Sequence, residues 1–145
     1  MILLNLNSTI TLTNCSESLY EMLNKICIMS SDIRTSSVFH NPKYAECIEA
    51  CNHCANACEY CGSLCLKEEN VKMMLKCIEL CFYCADVCRF ASKYMSCDSS
   101  YAKQICETCA KVCEACAKEC EKHDMDHCKE CSKVCYECAK ICRNM

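Results

Sequence analysis

Cysteine recurs along most of this chain at alternating steps of four and three residues. Cys47, Cys51, Cys54, Cys58, Cys61 and Cys65 make one run, and Cys77, Cys81, Cys84 and Cys88 a second. Cys106, Cys109, Cys113, Cys116 and Cys120 make a third, and Cys128, Cys131, Cys135, Cys138 and Cys142 a fourth. Thiols in such numbers can bind soft metal ions, pair as disulfides or exchange electrons. The spacing fixes how they are presented: at 3.6 residues per turn, steps of four and three keep a whole run on one stripe of an α-helix.

The rest of the sequence supplies helices to carry those stripes. With one Gly and one Pro among 145 residues, the chain lacks the turn residues that small disulfide-stapled folds and zinc ribbons need. Asn41-Pro42 reads as a helix start, Asn41 capping and Pro42 in the first turn. Glu68-Glu69-Asn70, Asp98-Ser99-Ser100 and the segment from His123 to Asp126 interrupt the pattern, with Ser or Asp at the last two restarts able to cap. Helices are therefore expected at about 42–67, 71–96, 100–122 and 126–143. Met74, Ala91 and Met95 continue the second stripe at its ends. Short connections force neighbours antiparallel, which predicts an all-α fold: an up-down-up-down four-helix bundle with a Cys-lined core.

Residues 1–40 differ from the bundle segment 41–145, being poor in charge and rich in Ser, Thr and Asn, and they read as a separate N-terminal extension. Within them Cys15, Leu19, Met22, Ile26, Met29 and Ile33 share a helical face, so the extension is expected to contain a helix. The first Lys is Lys25 and Asn5 and Asn7 interrupt the apolar start, so a secretory signal is not expected. The formal charge of −3 is spread over interleaved acidic and basic residues, without the basic face that nucleic acid requires. No apolar run is long enough to span a membrane. The expected setting is the cytoplasm, whose reducing conditions turn a cysteine-rich sequence away from disulfides and towards metal.

Cysteine as plain core filler is the first alternative, since a free thiol packs as a small hydrophobe. Leu would bury more apolar area at every seam position, so twenty thiols in register give up stability unless sulfur is used. Disulfides within a stripe would be strained, and an odd total of 23 Cys cannot pair completely. Iron–sulfur clusters draw their thiolates from loops rather than from a continuous helical ladder. Redox thiols sit at exposed helix N-termini, whereas these lie mid-helix and inward, so no enzymatic activity is expected.

Zinc is the metal competitor, because two facing helices can supply tetrahedra of four thiolates. Each such site carries a net charge of −2, and about five would bury roughly −10 in a seam without Lys or Arg. One Cu(I) per thiolate is neutral and matches soft sulfur, so the reading is sequestration of multiple Cu(I) ions per chain by all twenty seam cysteines. A zinc-binding or structural helical module is the alternative. Protonated thiols are apolar enough to build the core first, and metal then replaces their protons.

Antiparallel helices gather Cys65, Met74, Cys77, Cys120, His123, His127 and Cys128 at one end, and Cys47, Met95, Cys106, Cys142 and Met145 at the other. His123, His127 and Met74 are expected to pass copper into the seam, with Met73 and Met125 nearby. His at a helix end as an ordinary cap, and Met as plain packing, are the competing readings.

Glu46-Cys47-Ile48-Glu49-Ala50-Cys51, Cys84-Ala85-Asp86-Val87-Cys88, the stretch from Cys113 to His123 and the final ladder from Cys128 to Cys142 together resemble the bacterial four-helix-bundle copper storage proteins, in particular their cytosolic branch. The resemblance covers about residues 43–145. It implies a homotetramer of bundles holding many Cu(I) ions inside, loaded at the His-bearing end and without catalytic turnover. It departs at Cys81, where relatives carry a polar residue, and over the first forty residues, which have no counterpart in compact members.

Overall fold

The computed structural model describes residues 41–145. The helix expected between Cys15 and Ile33, with Cys15 and Cys27, lies outside the described residues.

The described chain opens with a 3-10 turn, Pro42–Tyr44, whose start is capped by the Asn41 side chain accepting from the Lys43 amide at 3.1 Å. Four α-helices follow: α1 (Ala45–Cys65), α2 (Val71–Ser96), α3 (Ala102–Cys120) and α4 (Asp126–Arg143). Each packs on its neighbours in sequence, and α4 closes the ring against α1. Sulfur contacts fix the directions. Cys65 at the end of α1 lies 4.0 Å from Cys77 at the start of α2 and 3.8 Å from Cys128 at the start of α4, and Cys77 lies 3.6 Å from Cys120 at the end of α3. The bundle is therefore up-down-up-down, as the sequence implied.

Three expectations need correction. The first helix is α-helical only from Ala45, because Pro42 and Asn41 start it as a tighter turn, and it stops at Cys65 rather than near 67. The third runs Ala102–Cys120 rather than 100–122. Of the expected N-terminal caps only Asn41 acts as one: α3 and α4 begin at Tyr101 and Met125 without a side-chain cap bond, Ser99 instead accepting from the Tyr101 amide and Asp126 lying in the first turn of α4.

The end of α2 turns through a residue in the left-handed region. Asp98 has φ 48°, the Asp98 amide donates to Met95 O at 3.0 Å, and the Ser99 amide donates to Tyr94 O at 3.0 Å. This paired closure is the Schellman arrangement, in which Gly is the usual residue. Asp tolerates the conformation at a cost of roughly 1 kcal/mol, and its exposed ion pair with Lys43 returns little of it. Asp98→Gly is therefore expected to raise the stability of the metal-free protein by about 0.5 kcal/mol, read as a higher urea midpoint at unchanged slope.

A second set of buried residues directly follows the cysteines. Ala55, Ala85, Ala110, Ala117 and Ala139 each stand one residue after a seam Cys and are 2% exposed or less. Gly62 after Cys61 and Ser132 after Cys131 are buried as well. A Cβ at Gly62 would meet the Phe82 ring at 3.3 Å, so α2 lies close over this position. The buried face of each helix is thus Cys plus neighbours that follow it, mostly small residues with Ile48 and Ile78 as larger ones, a wider stripe than the cysteine rhythm alone outlines.

Candidate metal centre

All twenty seam cysteines are buried and unbridged, and Cys97, outside the rhythm, is exposed. Their sulfurs form a continuous column. At its centre Cys54 lies 3.9 Å from Cys84, 4.0 Å from Cys113 and 3.7 Å from Cys135, and Cys58 lies 3.4 Å from Cys135 and 3.7 Å from Cys131. Towards the end that holds His127, Cys81 lies 3.9 Å from both Cys116 and Cys120, and Cys61 is 3.8 Å from Cys128. Towards the other end, Cys51 lies 3.9 Å from Cys138 and 3.6 Å from Cys142, which is itself 3.6 Å from Cys47.

Groups of four sulfurs lie within 4.8 Å of one another: Cys51, Cys109, Cys138 and Cys142; Cys54, Cys84, Cys88 and Cys113; Cys54, Cys58, Cys84 and Cys135; Cys58, Cys116, Cys131 and Cys135; Cys61, Cys65, Cys77 and Cys128. Each of these five takes a Cys-x-x-x-Cys pair from one helix and one Cys from each of two others. None uses a Cys-x-x-Cys pair. Three of the groups share members, through Cys54, Cys58, Cys84 and Cys135, so their sulfurs would have to bridge ions.

Among the described residues Ser92 and Ser132 are the polar residues buried as a whole, and no Lys or Arg side chain enters the core. A column of zinc tetrathiolates would leave its excess negative charge uncompensated there, whereas Cu(I) with bridging thiolates can stay neutral. Hydrogen bonds among the thiols satisfy the metal-free core. At the end of the column burial pushes the Cys65 thiol up to about 11 from the ordinary 9.0, with the neighbouring Cys77 adding to the shift, and burial raises Cys128 as well. Both are neutral thiols near pH 7.

A family model described as copper storage protein matches residues 40–145. The chain belongs to the copper storage protein family. No curated protein matches it, but solved structures do. The Cu(I)-bound copper storage protein BsCsp3 is 48% identical, with 70% of this chain and 96% of that one covered and a TM-score of 0.68. The metal-free copper storage protein 3 of Bacillus subtilis is also 48% identical over the same shares, with a TM-score of 0.66. The copper storage protein Ccsp of Streptomyces lividans, in a form loaded with 10 copper equivalents, is 34% identical, covering 77% of this chain and 92% of that one with a TM-score of 0.68.

In this copper storage protein the His-bearing end is built from four helix termini and two loops. His127 lies in the first turn of α4, its Nε2 3.5 Å from Cys65 Sγ and 4.0 Å from a carboxylate oxygen of Glu68. His123 follows α3, and its Nε2 is buried with no hydrogen-bond partner. A dry, unpartnered imidazole nitrogen is costly, about 1–3 kcal/mol, and suits a group that accepts a metal ion. Met74 is 3% exposed and packs in the core, while Met73 is 70% exposed and Met125 only partly buried. Sequence reasoning missed Glu68, because a Glu in a charged loop carries no periodic signal; only the return of α4 beside the α1–α2 connection brings it to His127.

Proposed function

We propose that this protein stores Cu(I) in the cytoplasm, each chain holding many ions on the thiolates of its twenty seam cysteines and performing no catalytic turnover. The observation that carries this reading is the unbroken sulfur column with shared groups of four and no buried cation. Isolated tetrahedral sites would not need shared thiolates, and a structural core would not need sulfur at every seam position. Membership of the copper storage family and likeness to Cu(I)-bound relatives support the same reading. Among the described residues no helix is long and apolar enough to cross a membrane.

His123, His127 and Met74 are proposed to receive Cu(I) and hand it to Cys65, Cys77, Cys120 and Cys128. Entering copper meets an imidazole whose other neighbour is a core thiol, so each transfer exchanges one soft or borderline ligand for a softer one without exposing the ion to water. Because Cu(I) replaces a thiol proton, charge is conserved in the core as it fills. The family resemblance read from the sequence is the basis for proposing a homotetramer, which the exposed Leu75, Tyr83 and Phe90 of α2 are suited to assemble.

The test is an anaerobic titration of reduced protein with Cu(I) against a chromophoric Cu(I) chelator. The expected result is about one copper withheld per seam thiol. Saturation below about five ions per chain, or ready surrender of copper while Zn²⁺ is held, would favour a zinc module and overturn the storage reading.

A further inference from the structure

A cavity lies at the opposite end of the bundle from the histidines. It has a volume of about 530 Å³, is bounded by Tyr44, Glu46, Ile141 and Met145, and reaches Cys47. A second, of about 250 Å³, adjoins it through the shared Glu46 and Ile141, runs between α1 and α4 past Glu49, His53 and Glu137, and reaches Cys138. Cys47, 3% exposed, lines this cavity, while Cys65, Cys77, Cys120 and Cys128 at the His-bearing end are 0% exposed. Cys47 Sγ is 3.6 Å from Cys142 Sγ, which is 3.6 Å from Cys51 Sγ, so an ion on Cys47 is one ligand exchange from the column.

We infer that this cavity is a second port, at which a small thiol compound withdraws stored Cu(I) through Cys47. The inference rests on the storage reading and adds a direction to it: histidines serve one end of the column, thiol exchange the other. The volume falls in the range of small-ligand pockets and admits a thiol of peptide size. Met145 lines the approach and offers a thioether along it.

The exchange needs no redox partner. The incoming thiol sulfur bonds to Cu(I), the bond from copper to Cys47 sulfur breaks, and the thiol's proton passes to the Cys47 sulfur, so copper stays monovalent and the core regains a neutral thiol. The vacancy then moves up the column by the same exchange through Cys142 and Cys51.

The experiment uses the full chain, loaded anaerobically with Cu(I) and mixed with reduced glutathione as the thiol probe, with an impermeant chromophoric chelator reporting released copper. Ala45→Trp, which fills the cavity from its exposed wall, is expected to slow glutathione-dependent release at least tenfold, with the copper count per chain and the thermal midpoint as checks on folding. Met145→Ala, which widens the approach, is expected to speed release several-fold, giving a test that survives any misfolding of the tryptophan variant. Independently, brief alkylation of the metal-free protein followed by peptide mapping should modify Cys47 before Cys65, Cys77, Cys120 or Cys128. Release unchanged in both variants, release that instead falls in His123→Ala/His127→Ala, or alkylation that begins at the His-bearing end would overturn the port and leave storage standing. A wild-type chain that takes up only a few ions would overturn storage and the port with it.

Discussion

Replacing Cys54, Cys84, Cys113 and Cys135 together with Ser is expected to lower Cu(I) capacity by more than one ion per thiol removed. Cys54 lies within 4.0 Å of each of the other three, and Cys84 lies 3.5 Å from Cys113. The substitutions take three sulfurs from each of two groups of four and one from a third, so thiolates left at Cys58, Cys88, Cys116 and Cys131 lose the partners they would share. A hydroxyl does not replace them, being a hard and weak ligand for Cu(I). The groups around Cys51 and Cys142 and around Cys65 and Cys128 keep all their members, so two separate pools of copper should remain, one at each end.

Four new buried hydroxyls, each costing about 1–3 kcal/mol if unsatisfied, will also destabilise the metal-free bundle. The Ala counterpart of the quadruple variant separates the two effects: it lacks the hydroxyls but loses the same sulfur. Anaerobic titration against a chelator, compared with the urea midpoint of each variant, gives the reading. An undiminished copper count in both variants would show that the central thiols are packing and not ligands.

The second large effect is on pH dependence. Cys65 is held up to about 11 from an ordinary 9.0, so its thiol stays protonated in the folded metal-free protein at pH values where the unfolded chain ionises. The sign follows from linkage. A pKa raised on folding contributes stability that is complete below the unfolded value, so the metal-free bundle should lose stability as pH climbs from about 9 towards 11. Cys128, raised by the same burial, adds to the loss. Copper-loaded protein has no proton on these sulfurs to give up, so its thermal midpoint should stay level across that window and lie well above that of the metal-free form.

Loading at neutral pH must release the thiol protons, and for one proton displaced per ion the apparent affinity should rise about tenfold per pH unit. Proton release in weakly buffered solution and thermal scans from pH 7 to 11 with and without copper measure both consequences. Copper uptake without proton release, or a metal-free form whose stability is flat to pH 11, would mean that the core thiols are already ionised and that the neutral-core account fails.

The sequence by itself determined the four helices and the inward direction of twenty thiols. A rhythm of four and three can close only on a helical stripe, and a chain with a single Gly and a single Pro has little other local structure to form. It also placed Cys97 off the stripe and His123 and His127 at one end, because residue counts along helices of 1.5 Å rise convert directly into position. Helix ends were less legible: Tyr101 and Met125 stand at starts where Ser and Asp were expected to cap, since chain reversal between packed helices outweighs cap preference.

Only the tertiary structure decided which thiols meet. The Cys-x-x-Cys pairs that catch the eye in the sequence supply none of the five groups described above, while Cys-x-x-x-Cys pairs supply one to each. Residues four apart on a helix differ by about 40° in direction and residues three apart by about 60°, so the former converge better on a shared centre. Which single cysteines of other helices complete each group depends on how far each helix slides along its neighbours, and that is set by three-dimensional packing. The small residues behind Cys54, Cys84, Cys109, Cys116 and Cys138 and the close pass of Phe82 over Gly62 fix this register. The same packing places Cys47 on the wall of a cavity at the end away from the histidines, which no spacing in the sequence encodes.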